Sequence, residues 1–597
     1  MNKAVVAVAL AAICLAAGLF RFYREEARLV PAAQLVSPEA LLLVEFPDLS
    51  ATAVRWRETA LCDILGEPEV QAFLAKPRLQ LEQNKAWAET MQGFARIQPR
   101  QAFLAVERVT NPLPSMLGGF AFGGNRGDAE ALLAKARAQM QSASPGGKRG
   151  EVKYREFQIE TFSDKGITLA GCFARNWYFV ANDLDLLKST LDRLTGKTLT
   201  HLAATTAYRE SLAPLPPNPD FRLFTQPGAL SEKLLTHLNA AGQPFDFQDS
   251  AALRKMQAVA LATRLEGQRI RDALYLYEPQ AALRPVLSGK TLELTTPDTL
   301  FYGAMSPQFA SEMPQRRPSK AIPGVEPLRA LFAALAPPAA TLSQFNAAFG
   351  PEHALLMDWP TGVEQPNLFL ALEVRRPEEA RKFMESVFRA WNRADNAGVC
   401  FWTLTLDSPA APQFHPTVAL TAHHAMAALN LETLKPFAAN ATSSGSGALP
   451  RSPAFLGAMS TVTPPQTALA YLDAQPVFER LYALLRPAVL LWGLSDPEVS
   501  KNVDFGKLPS SRVFSRHLSP LCLSASQTGR GLLVETTGPV TFIQMAAGIA
   551  AMTGAVLQPP LAPVPLAPGR GFPEEMAPFP PAKPLSTAPN EPSEAPE

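Results

Sequence analysis

Side chains able to do chemistry are thinly scattered in this chain. The glycine-rich run Gly118-Gly119-Phe120-Ala121-Phe122-Gly123-Gly124-Asn125-Arg126-Gly127 comes nearest to a phosphate-cradling loop. Such loops aim backbone amides at phosphate oxygens, and a lysine and a hydroxyl residue complete the site. Both are missing here, and Phe120 and Phe122 alternate as strand residues do, so the run reads as a strand ending in a Gly-Gly-Asn turn before a helix. Of the seven histidines, His423 and His424 are adjacent in an expected strand. Their side chains then point to opposite faces and are badly placed to share a metal; a site pairing one of them with His415 across a hairpin is the alternative. The acidic doublets Glu25-Glu26, Glu378-Glu379 and Glu574-Glu575 read as solvated charge. A glycosidase would need two carboxylates about 5–10 Å apart across a cleft, which spacing along a chain does not establish. There is no G-x-x-x-x-G-K-[ST], H-E-x-x-H, G-x-S-x-G or C-x-x-C. No catalytic, cofactor-binding or metal-binding residue is assigned, and no cofactor is expected.

Composition narrows the classes further. The chain has 597 residues, 47% of them hydrophobic, and 55 Lys and Arg against 54 Asp and Glu. A wholly disordered chain would be less apolar and more charged. A nucleic-acid binder would carry a clear cationic excess. Cys62, Cys172, Cys400 and Cys522 are widely spaced; the sequence selects no disulfide pairing among them, and buried free thiols are the plain reading.

Among the elements of the chain, the strongest pattern is self-similarity. Leu202–Tyr208 aligns with Leu449–Phe455, and the same shift lays Phe221–Phe224 over Ala468–Tyr471. Asn182–Lys188 resembles Asn430–Lys435, and Ser37-Pro38-Glu39-Ala40-Leu41 resembles Thr296-Pro297-Asp298-Thr299-Leu300. Each copy then reads alike. A strand (41–46; 300–305) precedes a strand pair (102–109 and 119–122; 354–359 and 367–374), and a helix with apolar residues at helical spacing follows (Ala129–Met140; Ala380–Phe388). Three strands come next (157–162, 168–173, 177–181; 401–406, 417–421, 425–429), then a helix with an acidic first turn. A terminal hairpin closes each copy (259–265 and 270–277; 521–526 and 531–535). Strand runs separated by helices point to α+β layers. The expected fold is therefore two tandem, duplicated domains of mainly antiparallel sheet with helices packed on one face.

The ends differ from this pattern. Ala4 to Phe20 carries no charge and is long enough for a roughly 26 Å helix, close to a bilayer's hydrocarbon thickness. It reads as an uncleaved transmembrane anchor more than as a cleaved signal, because its apolar run exceeds a signal's and no clean cleavage site follows. The stretch from Val540 to Leu557 is small and apolar, either a helix docked on the second domain or a second span. Residues 559–597 hold 13 prolines and few bulky residues, so a disordered tail is expected. The organisation is then 1–28 anchor, 29–290 first repeat, 291–537 second repeat, 538–558 apolar helix and 559–597 tail.

Residues 29–49, with Tyr154–Phe157 and Trp177–Lys188, resemble a family of uncharacterised bacterial proteins that carry an amino-terminal anchor and a large exported domain of unknown function. The resemblance implies location and fold; these segments hold no reactive side chains, so it implies no catalytic residue. The expectation is a single-pass inner-membrane protein, its bulk periplasmic, that is non-catalytic and structural or interaction-forming, with the membrane and an envelope protein as partners and no nucleic acid. The alternatives are an apolar-ligand (lipid) binding module and, more remotely, a hydrolase of unrecognised type.

Overall fold

The computed structural model describes residues 29–109, 113–164, 166–240, 255–307, 342–396, 398–404, 415–442, 447–495 and 501–546. The expected anchor over 4–20, Glu25-Glu26, the serine-glycine loop at 443–446, the apolar segment beyond 546 and the proline-rich tail with Glu574-Glu575 lie outside the described residues.

The fold is α+β, built on one 20-stranded sheet. The first half supplies β1 (Leu42–Phe46), β2 (Pro99–Arg108), β3 (Ser115–Phe122), β4 (Lys148–Tyr154) and β5 (Phe157–Asp164). It continues with β6 (Ile167–Ala174), β7 (Trp177–Ala181), β8 (Phe221–Thr225), β9 (Ala258–Glu266) and β10 (Arg269–Tyr277). The second half supplies β11 (Thr299–Met305), β12 (Phe349–Asp358), β13 (Asn367–Val374), β14 (Asn392–Asn396) and β15 (Val399–Thr403). Its last five are β16 (Thr417–Leu420), β17 (His424–Ala428), β18 (Ala468–Leu472), β19 (Leu521–Thr528) and β20 (Gly531–Gly538).

Every pairing is antiparallel. The first half runs β4-β5-β6-β7-β3-β2-β1-β8-β9-β10 across the sheet. The second runs β14-β15-β16-β17-β13-β12-β11-β18-β19-β20, the same order strand for strand. The two join where β10 pairs with β20, from Ile270 opposite Gly538 to Tyr277 opposite Gly531. Read from either edge, the sheet presents one sequence of strands with the β10–β20 pair at its middle. Gly531 is what the seam requires, since a Cβ there would lie 2.1 Å from the Leu276 carbonyl oxygen.

Helices cover both faces, not one. On the first face Trp177, Phe179 and Ala181 of β7, with Leu43, Phe103 and Leu117, pack against Leu187, Leu191 and Leu194 of the helix Leu184–Leu194. Asp183 caps that helix by accepting from the amides of Asp185 (3.0 Å) and Leu186 (3.2 Å). The same face of the second half buries Tyr302, Leu356, Phe369 and Tyr471 beneath Leu434 and Phe437 of the helix Leu431–Thr442. Residues one step along the strands point the other way. Phe122, with Phe120 and Phe173, packs on the helices Lys85–Ile97 and Arg126–Ala143. Trp402, Val418 and Leu420 pack on Phe383 and Met384 of the helix Pro377–Val387. The reason lies in strands such as β16 and β17, buried at every described position: a strand apolar on both sides needs cover on both.

Two strands escape the sequence reading, β4 and β14. They are the sheet's edges, and their polar sequences Lys-Arg-Gly-Glu-Val-Lys-Tyr and Asn-Arg-Ala-Asp-Asn lack apolar alternation. Charged edges also discourage pairing with another sheet. Helices Pro227–Ala240 and Ala474–Ser495, which follow β8 and β18, are among the further additions, as are the shorter Leu49–Trp56, Thr206–Leu212 and Pro453–Met459.

Candidate functional site

The glycine-rich run folds as strand, turn and helix. Gly118 and Gly119 lie within β3, and the amides of Gly123 and Gly124 donate to the carbonyls of Gln98 (2.9 Å) and Ile97 (3.1 Å). Asn125 caps the helix that follows by accepting from the amide of Gly127 at 3.0 Å. Those amides are spent inside the fold, where a phosphate site would aim them outward. His423 is exposed and His424 is buried, so the two face apart; the carbonyl of His415 takes the Thr417 hydroxyl at 2.8 Å. Among the described residues no three His, Cys, Asp or Glu side chains come together as metal ligands. Cys62, Cys172, Cys400 and Cys522 are free thiols. Burial pushes Cys172 and Cys522 up to about 11, which suppresses the thiolate that a nucleophile needs. Glu378 and Glu379 stand exposed in the first turn of the helix Pro377–Val387, beside Arg381 and Lys382.

Sequence reading missed the buried polar groups, because a single acid in a strand has no motif around it. In the second half the chain entering β11 forms a strap, and Glu352 of β12 holds it. Glu352 is fully buried and accepts from the amide of Thr291 (2.8 Å), the hydroxyl of Ser288 (3.1 Å) and the amide of Gly289. Lys290 of the strap reaches Glu373 at 2.8 Å, and the Nε2 of buried His424 lies 3.1 Å from the Lys290 carbonyl. Burial lowers the His424 pKa, so the ring is neutral, with Nε2 donating and Nδ1 left without a partner among the described residues. The first half repeats the device with other residues: Glu107 of β2 accepts from the Ser37 amide at 2.9 Å ahead of β1. Nearby, Glu45 pairs with Arg222 across β1 and β8, and Asp220 with Arg55 at 2.6 Å. These acids fasten covering segments to the sheet.

A third set gathers at the seam. On one face Glu535 of β20 pairs with Arg271 of β10 and accepts from the Thr463 amide at 2.8 Å. On the other, buried Asp272 takes the hydroxyls of Thr263 and Thr541. No cation pairs with Asp272 among the described residues, and burial raises its pKa. Thr541 also accepts from the Gln544 amide (3.1 Å) while the Gln544 side chain accepts from the Thr541 amide (3.3 Å), a capping box at the start of the helical turn beyond β20. Further out, Glu67 binds Arg516 and His517, which together hold its carboxyl well down, to about 2. Beside the seam lies a cleft of about 200 Å³, lined by Arg269, Gly457, Thr461 and Thr537 among others. That is smaller than the roughly 300–1,000 Å³ of ordinary ligand pockets. Its polar wall of one guanidinium and two hydroxyls includes no base.

Among the described residues the buried acids act as fastenings within the fold. Neither a family model nor a curated protein sequence matches the chain. Two solved structures, crystal forms I and III of TP0453, are similar to 43% of this chain and cover 81% and 83% of their own. Their identities are 11% and 12% and their TM-scores 0.23 and 0.25, too low to carry any argument about this protein.

Proposed function

We propose that this chain is a non-catalytic interaction protein of the bacterial envelope. It is tethered by the apolar segment 4–20, and its two halves, products of an internal duplication, engage one protein partner together. The observation that carries the reading is the identical strand order of the halves about the β10–β20 seam. Like surfaces held in one rigid sheet raise the local concentration of the second contact once the first has formed. The use of buried acids as fastenings for straps and seam, with thiols raised out of the reactive range, also favours binding over catalysis.

The test is crosslinking of the full chain in native membranes, with crosslinked residues mapped by mass spectrometry. One partner joined to residues of both halves is the expected result. A partner joined to one half alone ends the two-handed reading, and release of the chain by alkaline carbonate ends the tethered one.

A further inference from the structure

Because the halves share one strand order, a difference between equivalent places carries information. In the first half Glu210, on the helix Thr206–Leu212, pairs at 2.9 Å with Arg530, which comes from the β19–β20 hairpin of the other half. Under the alignment of Leu202–Tyr208 with Leu449–Phe455, the second half carries Gly457 at that position, on the helix Pro453–Met459. A Cβ at Gly457 would meet nothing within 4 Å, and the glycine lines the cleft of about 200 Å³ beside the seam. There too an arginine arrives from the other half's hairpin, Arg269 at the start of β10. The acid that would answer it is replaced by the glycine.

The residues lining the cleft include no carboxylate. Glu266, opposite Arg269 across the β9–β10 pair, turns to Arg264 at 3.6 Å, and Glu535 is held by Arg271. Among the described residues Arg269 has no hydrogen-bond or ion-pair partner. Thr537, opposite Arg271 on β20 and only 3% exposed, lines the same cleft, and its hydroxyl is likewise unpartnered among the described residues. Thr461 spends its hydroxyl proton on the Ala458 carbonyl at 2.6 Å, so Arg269 and Thr537 are the donors left to a ligand. One guanidinium balances one negative charge, and its planar fork matches the two oxygens of a carboxylate; phosphate groups are more often met by clusters of arginines. Pro453, Ala454 and Pro520 make the rest of the wall apolar, and a cavity of about 150 Å³ already holds a benzene-sized molecule. We infer that the cleft binds a small aliphatic monocarboxylate. Its carboxylate sits on Arg269 and Thr537, in the role that Glu210 fills in the first half, and its short chain lies against the prolines. The inference needs neither the tether nor the protein partner, and it stands if both fail.

The experiment is a titration of butyrate onto the full chain in lipid nanodiscs, read by saturation-transfer difference NMR with empty nanodiscs as the blank. Saturable binding is expected, displaced by propionate and not by neutral butyramide. Arg269→Gln removes the guanidinium and should weaken binding roughly tenfold or more. Gly457→Glu should do the same by another route, because a tethered carboxylate then occupies the site as Glu210 does in the first half. Arg530→Gln, on the other half's ion pair, should leave butyrate binding unchanged. Far-ultraviolet circular dichroism and urea midpoints separate lost binding from lost folding; Gly457→Glu should unfold no earlier than the parent, since its side chain enters open space. Absence of a saturable signal overturns the inference, as does butyramide binding as tightly as butyrate. Full binding by a folded Arg269→Gln or Gly457→Glu variant overturns it too. Sulfate or phosphate displacing butyrate as well as propionate does would identify a general anion site and overturn the carboxylate assignment.

Discussion

Replacing Glu535 tests whether the two halves are energetically one body. Glu535 is 3% exposed; it accepts the Thr463 amide at 2.8 Å and pairs with Arg271, whose side chain is 26% exposed. Because Ala273 stands directly opposite Glu535, Arg271 reaches it along the diagonal of the β10–β20 pair. Glu535→Ala leaves a largely buried guanidinium uncompensated, a loss of about 3 kcal/mol, at the low end for buried pairs because Arg271 keeps some solvent. The orphaned Thr463 amide adds about 1 kcal/mol, for a total near 4 kcal/mol. The double variant R271M/E535L removes both charges and leaves only that amide, so it costs about 1–2 kcal/mol. The Glu535 single alone therefore exceeds the double by about 2–3 kcal/mol, and R271M adds its own cost by leaving buried Glu535 without a cation, so the two singles sum to well above the double. Urea unfolding is followed through tryptophan fluorescence in variants that retain only Trp177, in the first half, or only Trp402, in the second. Both reporters should shift together when Glu535 is changed. A cost for Glu535→Ala below about 1 kcal/mol, additive singles, or a shift confined to the Trp402 reporter refutes the reasoning. Burial pushes the Glu535 carboxyl up, but its bonds to Thr463 and Arg271 outweigh that and hold it below the ordinary glutamate range. Its contribution is thus full above that range and is lost as pH falls through the lowered value.

Asp272 behaves in the opposite sense. Burial outweighs the Thr263 and Thr541 hydroxyls and raises its pKa, so its contribution is full below the ordinary aspartate value and declines as pH climbs toward the raised one. Asp272→Asn should raise the urea midpoint at neutral pH and flatten that decline; a variant less stable than the parent at neutral pH contradicts this. Burial holds His353 down to about 4 from an ordinary 6.5, so the unfolded chain takes its proton first and stability falls as pH drops between those values. His353→Leu should lose less stability on acidification than the parent, measured by denaturant midpoints across that window. Gly124→Ala would set a Cβ 2.4 Å from the Arg96 carbonyl oxygen, costing about 1–3 kcal/mol of overpacking, readable as a lower midpoint without loss of helix content.

Local pattern was enough to mark out most strands. Trp177–Ala181 and Asn367–Val374 appear with the bounds expected, because aromatic and β-branched residues favour pleated, half-buried surfaces whatever lies beyond them. Helix starts such as Asp183 and Pro377 were equally legible, since caps act within one turn. The polar edges β4 and β14 were invisible, as an edge strand takes its identity from one neighbour's hydrogen bonds and not from an apolar face. The buried acids Glu352, Asp272 and Glu535 were invisible for a related reason: in sequence each is one carboxylate among 54 acidic residues. Their partners stand nine to 269 positions away. The joining of β10 to β20 was likewise decided only in three dimensions. Hydrogen bonding between strands does not depend on side-chain identity, so the residues of each hairpin specify a strand with a free edge, and only the assembled chain determines which edge it meets.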